Sequence, residues 1–132
     1  MDDFDVVAPV FQRIFARLGT ALDLPAAVDA LPAAERAIVA TSIVEGEVDN
    51  GGWFQLFGNG NDGMIEPAIL GYERLGLPDY AAVLRDVRSR NFNEGSPEAL
   101  GDALDAADFA LSGSEAARAA LVRSEGMGDG LA

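Results

Sequence analysis

The sequence predicts an all-α fold, a single-domain bundle of about six helices over residues 1–132. Three observations carry that expectation. Apolar residues recur every three or four positions along most of the chain, which is the period of a helix face. Prolines and glycines stand where helices start and stop. Hydrophobic residues make up 49% of the 132, and a chain of this size can bury roughly two-thirds of its unfolded surface.

The first apolar series is Phe4, Val7, Phe11, Ile14, Phe15, Leu18 and Leu22. Pro9 lacks a backbone donor and crowds the preceding turn, so the regular helix is expected to begin near it and to stop at Gly19. Leu31-Pro32-Ala33-Ala34-Glu35 announces a second helix, with proline in its first turn and Glu35 at its positive end. Its inner stripe is Ala34, Ile38, Val39, Ser42 and Ile43. Asn50-Gly51-Gly52 is expected to break it, since glycine accepts the left-handed backbone that ends helices. The dense apolar run Trp53 to Phe57 follows, with Trp53 expected to be buried, and Gly58 to Gly63 reads as a loop.

A third helix carries Ile65, Ile69, Tyr72 and Leu75 and closes at Gly76. Leu77-Pro78-Asp79 opens a fourth with Tyr80, Val83, Leu84 and Val87 inside, and Asp86 is spaced to pair with Arg90. Ser96 and Pro97 cap and start a fifth, lined by Leu100, Leu104, Ala107 and Leu111. Gly113-Ser114-Glu115 restarts a sixth with Ala117, Leu121 and Val122. The glycine-rich tail from Gly126 to Ala132 is expected to fray. No internal repeat is present.

Charge bounds the function. The net charge is −13, from 22 acids against nine arginines, with no lysine and no histidine. Such a field repels nucleic acid and anionic membrane and draws basic partners. Alanine abundance and arginine in place of lysine fit a biased genome as well, and acidity also keeps a protein dissolved. No apolar run approaches the roughly 20 residues that cross a bilayer. The acidic start Met1-Asp2-Asp3-Phe4-Asp5 is unlike a secretory signal, so a cytoplasmic protein is expected.

Catalytic vocabulary is thin. Without His, Cys or Lys there is no triad, thiolate, Schiff base or histidine metal site. A calcium loop fails on register. With Gly63 at its sixth position, Gly58 and Gly60 fall where oxygen ligands belong and Ile69 falls where Glu belongs. Glu45, Glu47 and Asp49 do not converge on one cation while helical, because alternate residues lie about 200° apart. No metal, no cofactor and no enzymatic role are expected.

The pattern of the acids says more than their number. Residues 37–73 hold Glu45, Glu47, Asp49, Asp62, Glu66 and Glu73 and no arginine, and residues 91–117 hold Glu94, Glu98, Asp102, Asp105, Asp108 and Glu115 and no arginine. Glu98, Asp102, Asp105 and Asp108 share a helix face opposite Leu100, Leu104 and Leu111. Their like charges cost a few tenths of a kcal/mol locally, and successive members rise about 4.5–6 Å, near the reach between phosphates on a strand. A solvated helix face would look the same. The partner-facing surface expected from these segments is Glu45, Glu47, Asp49, Glu98, Asp102, Asp105 and Asp108.

The run Glu47-Val48-Asp49-Asn50-Gly51-Gly52-Trp53-Phe54-Gln55-Leu56-Phe57-Gly58-Asn59 resembles the signature of the bacterial DNA-mimic protein nineteen family. That signature is an acid, Asn-Gly-Gly, an aromatic, Gln, an aromatic and Asn. Glu66-Pro67-Ala68 through Leu75-Gly76-Leu77 to Leu84 resembles its next two helices, so the likeness covers about residues 35–90. The resemblance implies an all-helical fold. From the family's type member it implies a dimer whose acidic surface imitates duplex DNA and occupies a transcription regulator. Asn50, Gly51, Gly52, Trp53, Gln55 and Phe57 form a structural motif that does not itself supply the mimicking acids. Trp53 and Phe54 stand together where one aromatic and a variable residue are expected.

Three functional classes follow. The first is a DNA mimic that inhibits a basic nucleic-acid-binding protein while binding no nucleic acid or membrane itself. The second is a general interaction module, immunity or antitoxin-like, working through an apolar surface. The third is a small carboxylate-dependent enzyme.

Overall fold

The computed structural model describes the backbone of residues 2–58, 62–89 and 114–127, and side chains within these except at residues 52–54, 57, 58 and 62. The fold is all-α. Its described helices are α1 (Asp3–Leu18), α2 (Leu24–Asp29), α3 (Ala33–Gly58), α4 (Ile65–Arg74), α5 (Pro78–Ser89) and α6 (Glu115–Ser124), with a 3-10 turn at Asp62–Met64. No strand occurs among the described residues, and no helix there is long and apolar enough to cross a membrane.

Helix α1 begins well before Pro9, against the expectation from the proline. Asp2 caps it: its carboxylate accepts from the Asp5 amide at 2.8 Å, and the Asp5 carboxylate accepts from the Asp2 amide at 3.3 Å. This reciprocal cap satisfies two of the first-turn donors and starts the helix early. Pro9 then sits inside it with its ring exposed. The core face is also narrower than the apolar series implied. Val7, Val10 and Ile14 are buried, whereas Phe4 and Phe15 are 66% and 40% exposed.

The sequence reading passed over α2. Its start is written in Asp23-Leu24-Pro25: the Asp23 carboxylate accepts from the Ala26 amide at 3.1 Å, and proline takes a first-turn position where no donor is needed.

The largest correction concerns α3. It does not break at Asn50-Gly51-Gly52 but continues as helix to Gly58. Gly51 does not adopt a positive φ. Glycine costs a helix interior up to about 1 kcal/mol per residue, an amount tertiary packing readily overrides. Nor does α3 present one inner stripe. Ala37, Ile38, Val39, Ala40, Thr41, Val44 and Val48 are all buried, because α3 packs against α1, α2, α4 and α6. A helix enclosed by neighbours is apolar around most of its girth.

Helix α4 closes as expected. Gly76 takes φ 75°, which lets the Leu77 amide donate to the Tyr72 carbonyl at 2.9 Å and cover an otherwise orphan acceptor. Helices α3 and α4 approach closely at Gly71, where a Cβ would lie 3.0 Å from Ala37 Cα and 3.1 Å from Thr41 Cγ2. Tyr72 and Leu84 are fully buried, while Tyr80 and Val83 are half-buried. At the far end Met127 is buried and its carbonyl accepts from Arg13 Nη2 at 2.9 Å, so the tail is held that far. The expected fifth helix, Arg90, and residues 128–132 lie outside the described residues.

Candidate functional site

Two helices and one helix start converge on a single carboxylate. Thr41 and Glu45 stand one turn apart on α3, Tyr72 projects from α4, and Ser114, Glu115 and Arg118 come from the start of α6. The Arg118 side chain is 4% exposed and that of Glu45 13%. The guanidinium grips Glu45 with both arms, Nη1 to Oε2 at 2.7 Å and Nη2 to Oε1 at 3.1 Å. Its remaining donors reach Glu115 Oε2, from Nη2 at 2.6 Å and Nε at 3.2 Å, and Nη1 also reaches Thr41 Oγ1 at 3.2 Å. The Tyr72 and Ser114 hydroxyls both donate to Glu45 Oε2. A planar fork against a carboxylate is the strong form of ion pair, and the hydroxyls satisfy what it leaves over.

Burial alone would lower the Arg118 pKa, but hydrogen bonding to Glu45 and its charge, then those of Glu115, more than offset this and raise it. Burial pushes the Tyr72 phenol up, and the charge and hydrogen bond of Glu45 push it further, against a smaller opposite pull from Arg118. Tyr80 is shifted upward too, by burial and then by Glu45. The cluster therefore holds a charged pair and a neutral phenol. It clasps α6 to α3 and α4, and neither tyrosine is tuned toward general-base work near neutral pH.

Beside the clasp lies a groove of about 820 Å³. One wall is α1, through Phe4, Ala8, Phe11 and Phe15. These occupy i, i+4, i+7 and i+11, a second apolar seam beside the core-facing one. The Phe11 and Phe15 rings stack at 5.4 Å between centroids. The opposite side is α3, through Ser42, Ile43 and Gly46, and above Gly46 a Cβ would meet nothing within 4 Å. Glu45, Glu47, Asp49, Glu115 and Arg118 also line the groove.

Of the residues singled out from sequence, Glu45, Glu47 and Asp49 all line this groove, each in a different environment. Glu45 turns inward to Arg118, Glu47 is half-buried and Asp49 is exposed. Glu98, Asp102, Asp105 and Asp108 lie outside the described residues. The arginine-free stretch 37–73 is not free of arginine in space: Arg118 pairs with Glu45, Arg88 with Glu66, and Arg85 with Glu73 at 3.0 Å. Of the Asn50–Phe57 motif, Asn50 Nδ2 donates to Gln55 Oε1 at 3.1 Å. A Cβ on Gly51 would fall 2.9 Å from Gln55 Cβ and nearer still to its Oε1. The glycine therefore makes room for the glutamine rather than ending the helix. Gly52 continues the helix, and the Trp53 and Phe57 side chains lie outside the described set. Sequence reasoning missed Arg118, although its position was a signal: it shares a helix face with Leu121 and Val122, and a charge on an apolar face calls for a buried partner. No group of three or more acids that could hold a metal occurs among the described residues.

The family model described as DMP19-like protein matches residues 29–123 of the 132. The chain belongs to that family. The match takes in α3 through most of α6, and so includes both sides of the Glu45–Arg118 clasp and the Asn50-Gly51-Gly52 motif. No curated protein and no solved structure matches the chain.

Proposed function

We propose that this member of the DMP19-like family is a non-catalytic binding protein that occupies a basic, nucleic-acid-binding protein in the manner of a DNA mimic. The observation that carries the reading is how the fold disposes of its positive charge. All eight arginines among the described residues are engaged within the molecule. Arg17, Arg74, Arg85, Arg88, Arg118 and Arg123 face carboxylates, and Arg13 and Arg36 donate to the Met127 and Asp29 carbonyls. A net charge of −13 is therefore carried by carboxylates that outnumber these internal partners, and exposed acids such as Asp29, Asp49 and Asp79 are available to an outside cation. A field of one sign speeds encounter with a basic surface and is screened within about 8 Å at physiological salt.

The test is capture from native cytosol on the immobilised chain, followed by displacement. Captured proteins are expected to be DNA- or RNA-binding, to leave the chain at high salt, and to release labelled nucleic acid when the chain is added. The chain alone is expected to retard no DNA or RNA in a gel. Captured proteins that keep their nucleic acid in the presence of excess chain would overturn the proposal.

A further inference from the structure

We infer that the groove between α1 and α3 is a docking site for one amphipathic helix of the partner, with an apolar stripe and basic flanks. The inference rests on the reading of a basic partner and says where and in what form that partner is held. Three observations point to it. Helix α1 has a second apolar seam that the bundle covers only in part: Val7, Val10 and Ile14 are enclosed and Phe11 packs half-buried against them, while Phe4 and Phe15 stand open to solvent. Large phenyl surfaces left uncovered in a row mark an interaction surface more often than a random exposure does. From Phe4 to Phe15 the seam spans eleven steps of about 1.5 Å, or roughly three helical turns, the length over which anchors at i, i+4, i+7 and i+11 engage a groove.

Second, the opposite side is low. Gly46 has nothing within 4 Å of where its Cβ would be, and its neighbours across the turn are Ser42 and Ile43, so a helix backbone can approach closely. Third, the charges fit one class of occupant. Four carboxylates, Glu45, Glu47, Asp49 and Glu115, line the groove against the single guanidinium of Arg118, and that guanidinium is already held by Glu45 and Glu115. An acidic or neutral helix would bring nothing to this rim, whereas Lys or Arg beside an apolar stripe complements it.

The probe is a fluorescein-labelled peptide of about 15 residues, with Leu at helical spacing and Lys and Arg elsewhere, titrated with the full-length chain and read by anisotropy. A scrambled peptide of identical composition keeps the charge and loses the stripe. The patterned peptide is expected to bind at least tenfold tighter than the scrambled one. Gly46→Leu fills the open space above α3 while favouring helix. It is expected to weaken the patterned peptide at least tenfold, leave the scrambled one unchanged and melt no lower than the parent. Equal binding of both peptides would overturn the groove while leaving the electrostatic reading intact. Binding of neither peptide at low salt would overturn both. A parent that sediments as a dimer and a Gly46→Leu chain that sediments as a monomer would assign the groove to a second copy and overturn the partner helix.

Discussion

Replacing Arg118 by methionine tests the clasp directly. The substitution keeps much of the side-chain volume and removes the charge. Glu45, with a side chain 13% exposed, would keep the Tyr72 and Ser114 hydroxyls but lose the counter-charge held at 2.7 and 3.1 Å. Removing one partner of a buried pair leaves an uncompensated charge in a poorly solvated place and costs about 3–5 kcal/mol. For a chain of this size each kcal/mol moves the melting temperature by about 4 °C, so Arg118→Met is expected to melt about 12–20 °C lower. Urea unfolding is the assay, with a lower midpoint at an unchanged slope. Glu45→Met strands the guanidinium instead and is costly for the same reason. The double variant removes both charges, so its loss is expected to fall short of the sum of the two single losses by about 2 kcal/mol. A loss under about 1 kcal/mol for Arg118→Met, or simple additivity in the double variant, would show that the pair behaves as a solvated one and refute the reasoning.

Alkaline pH should unfold the chain through Tyr72. Its phenol is raised above the ordinary 10.0, so the folded state holds a proton that the unfolded state gives up; the contribution of this group to stability is flat below pH 10 and falls above it, by about 1.4 kcal/mol per pH unit. Tyr72→Phe should flatten that decline in a denaturant series across pH 9–11. Gly71→Ala should destabilise, since the added methyl meets the α3 backbone at 3.0 Å, whereas Gly46→Ala should stabilise by up to about 1 kcal/mol of helix propensity, read as a higher denaturant midpoint; equal effects would refute the close approach. Asp102→Asn, Asp105→Asn and Asp108→Asn together should leave folding unharmed and slow association with the captured partner severalfold, with a flatter salt dependence; unchanged rates at every salt concentration would make that stripe a solvated face only.

Local chemistry was legible wherever it acts within a few residues. The start of α3 after Pro32, the glycine close of α4 and the opening of α5 at Pro78 were written in proline, glycine and apolar spacing. The failures share a cause. Pro9 and the Asn50-Gly51-Gly52 run are helix breakers by propensity, yet both lie inside helices. Propensities of about 1–3 kcal/mol compete with caps and packing that a window of sequence does not contain. The arginine-free stretch 37–73 misled for a related reason, because separation along the chain says nothing about which helices meet.

By itself, then, the sequence determined the helical class, the surplus of 13 negative charges, the family signature at Glu47–Asn59 and the absence of His, Cys and Lys chemistry. These follow from composition, from the helical period and, for the signature, from one continuous run of residues. Only the tertiary structure decided which apolar face of α1 is core and which is left open, and which acids are spent inside. Glu45 and Arg118 are 73 residues apart, and their pairing depends on α6 packing against α3 so that desolvation and Coulomb attraction act on the same two groups. Interactions of that range are set by packing, where a charge is retained only beside its partner.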